Sequence, residues 1–201
     1  MVCRLAYLRE HSSLPQKLVK CPMFPMLWKV SAKTYLGGEE MTKSPKGSSQ
    51  LRKGRISLPG TIYFITKATL ERLENGVSYK AGVLLTDGVP EIITGSLKWL
   101  EEQDYLELLA YTIMPDHIHL LFKLKEKESL SKVLQKFGSF TGRQICLKLD
   151  RPGGIWQEGY YDRAIRDEEE LQRAFAYILN NPIKAGYVTD LIDWPWLYPE
   201  M

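Results

Sequence analysis

The sequence predicts an α+β fold, a central antiparallel sheet with packed helices. Three observations carry that expectation. Strand-like runs interleave with segments whose apolar residues recur at helical spacing, and no internal repeat is visible. Two strand-like runs, Tyr105 to Ile113 and His117 to Leu124, flank the turn-forming Met114-Pro115-Asp116 and so read as an antiparallel pair. Organised pattern begins only near residue 51, which places one domain over residues 51–201.

Residues 1–50 sustain neither the strand nor the helix period. Pro22, Pro25, Gly37-Gly38 and Ser44-Pro45-Lys46-Gly47-Ser48-Ser49 punctuate them, so a poorly ordered N-terminal extension is expected. Thr61-Ile62-Tyr63-Phe64-Ile65-Thr66 is β-branched and aromatic, the composition of a strand. Residues 90–103 follow Pro90 with Ile92, Ile93, Leu97 and Leu100 at helical spacing. After the antiparallel pair, Leu130 to Leu147 aligns Leu130, Val133, Leu134 and Phe137 on one helical face. Arg151-Pro152-Gly153-Gly154 breaks the pattern before a short candidate strand at Ile155-Trp156-Gln157. A last helix opens at Asp167, a good N-cap with Glu170 three residues on, and buries Leu171, Ala174, Phe175 and Ile178. Pro182 is expected to stop it near Asn181.

Charge has to be divided before it is interpreted. Residues 1–50 hold eight Lys/Arg against three Asp/Glu, whereas residues 51–201 hold nineteen against twenty-one, so the body carries no basic excess. Attraction to nucleic acid must then rest on local patches. One is Arg52, Lys53 and Arg55; the other is a spread from Lys123 to Arg151 that reads equally as a solvated face balanced by Glu126 and Glu128. Apolar runs such as Ile118 to Phe122 are too short to span a bilayer, so no membrane segment is expected. The first residues lack an export signal, and Cys3, Cys21 and Cys146 share no CxxC spacing, which predicts free thiols in a cytoplasmic protein.

Chemistry concentrates in two places. Besides His11, the only histidines are His117 and His119, and residues two apart on a strand share a face. The pair can chelate one divalent ion with a third ligand from elsewhere, or it can be two hydrogen-bonded histidines with no metal; an isolated HxH leaves both open. On the last helix, Tyr177 and Asn181 lie one turn apart on the flank of the buried stripe. A tyrosine there can reach an open cleft from an apolar support, or it is an ordinary boundary tyrosine. Tyr160 and Tyr161 compete with it as nucleophiles on residue type, but precede the helix and have no ligand one turn on.

Context narrows these choices. Tyr111 to Phe122, containing the two histidines, closely resembles the HUH strand of the single-tyrosine transposases. Trp156-Gln157-Glu158-Gly159-Tyr160-Tyr161-Asp162-Arg163 and Tyr177-Ile178-Leu179-Asn180-Asn181-Pro182-Ile183-Lys184-Ala185-Gly186 resemble the same family. The opening Leu51 to Gly60 is similar to the REP-associated tyrosine transposase branch, and the resemblance spans roughly residues 51–188. It implies a ferredoxin-like HUH endonuclease fold. It further implies Mg²⁺ or Mn²⁺ held by His117, His119 and Asn181, with Tyr177 as the nucleophile. The implied partner is a single-stranded, palindromic REP-like DNA hairpin, cleaved and rejoined through a 5′-phosphotyrosine. Arg52, Lys53 and Arg55 are the candidate hairpin contacts. Such relatives leave both a monomer and a homodimer open. A histidine-triad nucleotide hydrolase would need a third histidine where Leu121 stands. A catalytically silent DNA-binding descendant of the same fold is the remaining alternative, although the full set His117, His119, Tyr177 and Asn181 is present.

Overall fold

The computed structural model describes residues 57–70 and 82–199, with the backbone of two short strands at 73–74 and 77–78. The extension expected over residues 1–50 and the cluster Arg52, Lys53 and Arg55 lie outside the described residues.

Strand β1 (Ile62–Ala68) leads through the small hairpin β2 (Leu73–Glu74) and β3 (Val77–Ser78) to helix α1 (Val89–Glu102). Strands β4 (Leu106–Ile113) and β5 (His117–Leu124) follow, then α2 (Leu130–Lys148), β6 (Tyr161–Ala164), α3 (Glu168–Lys184) and β7 (Leu197–Tyr198). Among the described residues the main sheet has the order β6-β1-β5-β4-β7, and every neighbouring pair is antiparallel. Without the small hairpin, β1-α1-β4-β5-α2-β6 is the ferredoxin-like split βαβ arrangement, in which β5 is inserted between β1 and β4. The expected α+β class and antiparallel pair are therefore present. No helix among the described residues is long and apolar enough to cross a membrane.

Alternation along the strands divides the sheet into two faces. Tyr63 and Ile65 of β1 and Ile118, Leu120, Phe122 and Leu124 of β5 pack with α1 and α2, through Ile93, Leu97, Leu100, Val133 and Phe137. Strand β4 reaches the same face with Leu106 and Leu108, then with Tyr111 and Ile113. That change of parity is produced by a bulge between Leu108 and Ala110, where the Leu108 amide donates instead to Glu101 Oε1 at 3.1 Å. The opposite face carries Phe64, Thr66, Ala110, Thr112, His119 and Leu121, all but Thr66 buried. Helix α3 packs over β4 and β5 and buries Ala174, Phe175, Ile178 and Leu179.

The ends of α3 explain its place in the chain. The Asp167 carboxylate accepts from the Glu170 amide at 2.8 Å, and Glu170 Oε2 accepts from the Arg166 amide at 2.9 Å, a reciprocal cap that reaches one residue further back than expected. Glu170 is itself buried and paired with Arg163 of β6. At the other end Pro182 does not stop the helix, contrary to the sequence expectation. It lies in the last turn, where its missing amide forfeits a single hydrogen bond, and the helix continues to Lys184. Termination falls to Gly186 in the left-handed region at φ 74°. There the Gly186 amide donates to the Ile183 carbonyl at 2.9 Å and the Tyr187 amide to the Pro182 carbonyl at 3.0 Å, a Schellman closure.

One further expectation shifts. The stretch at Ile155-Trp156-Gln157 makes only an isolated bridge, Trp156 with Thr69, and the edge strand is Tyr161–Ala164 instead. The reason lies in β1, whose outer hydrogen-bonding edge pairs with β6 from Tyr63 to Thr66 and ends before Trp156 can extend the ladder.

Candidate active site

The site forms where β5 begins, beside the tight turn that the sequence placed at Met114-Pro115-Asp116. The Met114 amide donates to the His117 carbonyl at 2.8 Å. The Asp116 carbonyl accepts twice from Thr69, at 2.8 Å from its amide and 2.9 Å from its hydroxyl, and the Pro115 carbonyl accepts from the Leu84 amide at 3.1 Å. The entry to the histidine strand is thus tied to β1 and to the turn before α1.

Both imidazoles project from the α3 face, as their spacing predicts. His119 is buried, with 3% of its surface exposed, whereas the His117 side chain keeps 26%. Their Nε2 atoms approach to 3.1 Å and their rings meet edge to face, with centroids 4.7 Å apart. Each Nδ1 is held from behind. His117 Nδ1 lies 2.7 Å from Asp116 Oδ1, and His119 Nδ1 lies 2.8 Å from Thr66 Oγ1, its neighbour across the β1–β5 register. Desolvation first, and then the neighbouring His117, holds His119 well below the usual imidazole range, so this ring is neutral at physiological pH.

Tyr177 reaches the same place from α3. Its ring meets His119 edge to face at 5.1 Å and Phe64 at 5.8 Å, while Phe64 stacks on His119 at 5.4 Å. Three rings from β1, β5 and α3 therefore form one wall. Burial pushes the Tyr177 phenol above its ordinary value, and a hydrogen bond with the Asn181 side chain acts in the opposite direction. Lys184, one further turn along, places its ammonium 5.8 Å from the centre of the Tyr177 ring. Tyr177, Asn181 and Lys184 thus form a polar stripe at i, i+4 and i+7.

Of the residues singled out from sequence, His117, His119 and Tyr177 are brought into contact, with Asn181 bonded to the phenol. Of the rival tyrosines, Tyr160 packs against the α1/α2 core. Tyr161 pairs with Thr66 on the edge strand and so shares the sheet face of the site, without a ring contact to either histidine among the described residues. Phe64, Thr66, Asp116 and Lys184 were not singled out. Lys184 had a legible signal, its heptad spacing from Tyr177, which is hidden once Pro182 is taken as the helix end. Thr66 and Phe64 had none, because a strand register across more than fifty residues is not written in local pattern.

The donors suit a divalent ion. Adjacent ligands of an octahedral ion with bonds of about 2.1 Å are about 3.0 Å apart, close to the 3.1 Å between the two Nε2 atoms. Each ring has a polar partner on its far nitrogen, the usual support for a metal-binding imidazole. Among the described residues no three His, Cys, Asp or Glu side chains cluster; of the nearby side chains, Asn181 carries the oxygen donor that a hard divalent ion accepts. Imidazole is softer than Mg²⁺ prefers and suits Mn²⁺ better.

A ferredoxin-like sheet with a histidine pair on its central strand and a helix-borne tyrosine against it defines a class of protein in which strand and helix share one site. The comparisons with known proteins agree. The family model described as "Transposase IS200 like" matches residues 76–181. A Haemophilus influenzae relative assigned to the REP-associated tyrosine transposases is 33% identical over 148 residues, covering 68% of this chain and 78% of that one. An Escherichia coli K12 REP-associated tyrosine transposase is 30% identical over 93 residues, 45% of this chain and 52% of its own length. A solved structure of a REP-associated tyrosine transposase bound to a REP hairpin has the same fold, with a TM-score of 0.56, 23% identity and coverage of 71% of this chain and 79% of that one. The chain belongs to the IS200-like transposase family, in its REP-associated tyrosine transposase branch.

Proposed function

We propose that the protein binds a single-stranded DNA hairpin of the REP type and cleaves and rejoins it, with Tyr177 as nucleophile. The observation that carries this reading is the contact of the Tyr177 ring with His119 at 5.1 Å, which joins a helix-borne phenol to the histidine pair. The known relative bound to a REP hairpin lends support for the partner.

The phenol oxygen attacks the phosphorus of a phosphodiester, the bond from phosphorus to the 3′-oxygen breaks, and that oxygen takes up a proton. The products are a 5′-phosphotyrosine and a free 3′-OH. The covalent link retains the bond energy, so a 3′-OH can reverse the step on the same or another strand without a nucleotide cofactor. A Mg²⁺ or Mn²⁺ ion, held by His117, His119 and Asn181, supplies Lewis-acid polarisation and orientation of the phosphate when bound. Neutral His119 offers a lone pair rather than a charge. Asn181 stabilises the phenolate as it forms, against the burial that disfavours it. Lys184, with its ammonium 5.8 Å from the centre of the Tyr177 ring, is proposed to pair with the phosphate. Arg52, Lys53 and Arg55 are proposed to grip the hairpin backbone; unchanged hairpin affinity after replacing all three with alanine would remove them from that role.

The test uses labelled single-stranded hairpin DNA from palindromes flanking the gene, the purified full chain and Mn²⁺, with denaturing electrophoresis to detect a covalent adduct. Wild type is expected to form the adduct and Tyr177→Phe to lose it. An adduct that persists in Tyr177→Phe refutes the nucleophile. Hairpin binding with no cleavage supports the catalytically silent DNA-binding alternative.

A further inference from the structure

We propose that Asp116 and Thr66 are positioning residues of unequal kind: Asp116 fixes the tautomer of His117, while the Thr66 hydroxyl lets His119 exchange its tautomer as an ion enters. The inference rests on the functional reading above in taking the two Nε2 atoms as metal ligands.

With both rings neutral, the heavy-atom distances allow one self-consistent proton arrangement without a metal. A carboxylate only accepts, so at 2.7 Å from Asp116 Oδ1 the His117 Nδ1 must be the protonated nitrogen. Its Nε2 is then a lone pair. Two lone pairs cannot face each other at 3.1 Å, so His119 Nε2 carries a proton and donates it to His117 Nε2. His119 Nδ1 is thereby an acceptor, and Thr66 Oγ1 at 2.8 Å donates to it. A metal ion needs both Nε2 lone pairs. His117 already offers one. His119 must move its proton to Nδ1, and the same Thr66 oxygen then accepts that proton by rotating its own hydroxyl hydrogen. No heavy atom has to shift, because a hydroxyl can both donate and accept. The exchange moves a proton from one ring nitrogen to the other and leaves the charge of the ring unchanged.

The anchors are themselves fixed. Thr66 lies inside β1, paired with His119 on one side and with Tyr161 on the other. The backbone of Asp116 is held by the two Thr69 hydrogen bonds, while its side chain stays partly exposed. Replacing the Asp116 side chain therefore leaves the turn's backbone ties in place.

The full-length protein, labelled with ¹⁵N at histidine, reports both nitrogens of each ring by NMR. Without metal, His117 is expected as the Nδ1–H tautomer and His119 as the Nε2–H tautomer; saturating Mg²⁺ moves His119 to Nδ1–H. Asp116→Ala is expected to release the His117 tautomer and weaken Mn²⁺ binding, read by calorimetry without DNA, by about 10- to 100-fold. Thr66→Val keeps the shape but removes the hydroxyl. It should weaken Mn²⁺ binding about 10-fold, with Thr66→Ser restoring it. An unchanged His117 tautomer in Asp116→Ala, or wild-type Mn²⁺ affinity in Thr66→Val, overturns the proposal while leaving the functional reading intact. If wild type shows both metal-free tautomers but binds neither ion, the metal-dependent reading and the His119 exchange fall and the role of Asp116 stands.

Discussion

Phe64 and Phe122 are both buried, but on opposite faces of the sheet, and replacing each with leucine separates packing from chemistry. Phe64→Leu removes the stack on His119 at 5.4 Å and the edge contact with Tyr177 at 5.8 Å. Such pairs contribute about 0.5–1.5 kcal/mol each beyond buried area, so the loss is about 1–3 kcal/mol. In a domain of this size that lowers Tm by roughly 2–12 °C. Phe122→Leu loosens the α1/α2 core instead and costs about 1–2 kcal/mol. The stability effects overlap, but the consequences for nicking do not. Losing the wall shared by His119 and Tyr177 allows the reacting groups to drift, and a misplacement of about 1 Å is worth on the order of 100-fold in rate. Single-turnover hairpin cleavage with Mn²⁺, at a temperature where circular dichroism shows both variants folded, is expected to fall about 100-fold for Phe64→Leu and less than about 3-fold for Phe122→Leu. Equal rate losses in the two variants, or a wild-type rate in Phe64→Leu, would refute the reasoning.

Other perturbations probe other parts. Asn181→Ala removes the hydrogen bond that opposes burial of the Tyr177 phenol. Spectrophotometric titration should show that phenol shifted further upward, with cleavage slowed about 10- to 100-fold; an unmoved titration would disconnect the pair. Gly186 has open space around a would-be Cβ but a φ of 74°. Gly186→Ala should therefore cost about 1–2 kcal/mol from backbone strain alone, measured by urea unfolding; a neutral outcome would mean the helix end relaxes. In metal-free protein, the native value of His119 lies below its ordinary 6.5. Above that value both folded and unfolded states are neutral; as pH falls below it, only the unfolded chain gains the proton. Stability should then fall by up to about 1.4 kcal/mol per pH unit until the lowered native value is reached. Comparing urea midpoints at two pH values for wild type and His119→Gln checks this, since the variant lacks that slope.

What was legible in the sequence was what repeats locally. The antiparallel pair around Met114-Pro115-Asp116, the helical stripes of α1 and α2 and the Asp167 cap each announce themselves within a dozen residues, and the structure contains them all. The edge strand Tyr161–Ala164 was not legible. It has four residues, two of them charged, and its pairing with β1 is decided by a partner nearly a hundred positions away. Pro182 misled for a related reason. Proline is expensive inside a helix when both a donor and the packing are lost, but near the C-terminus only one bond is forfeited while the ring is buried against the core.

The candidate site divides along the same line. His117 and His119 share a face because strands alternate, and Tyr177 and Asn181 share one because helices turn, so each half was readable by itself. Their meeting depends on α3 packing over β4 and β5 on the face away from α1 and α2, a tertiary choice that no local period encodes. The supports are even less visible. Thr66 supports His119 only because β1 and β5 pair in one register; a slip of a single residue would turn the Thr66 hydroxyl to the other face and bring Lys67 or Ile65 opposite the imidazole. Register is held by Tyr63 and Ile65 in the α1/α2 core on one side and by Phe64 under α3 on the other. The apolar residues that secure the sheet thus also decide which polar group stands behind each histidine, and the chemistry of the site is set by packing on both faces at once.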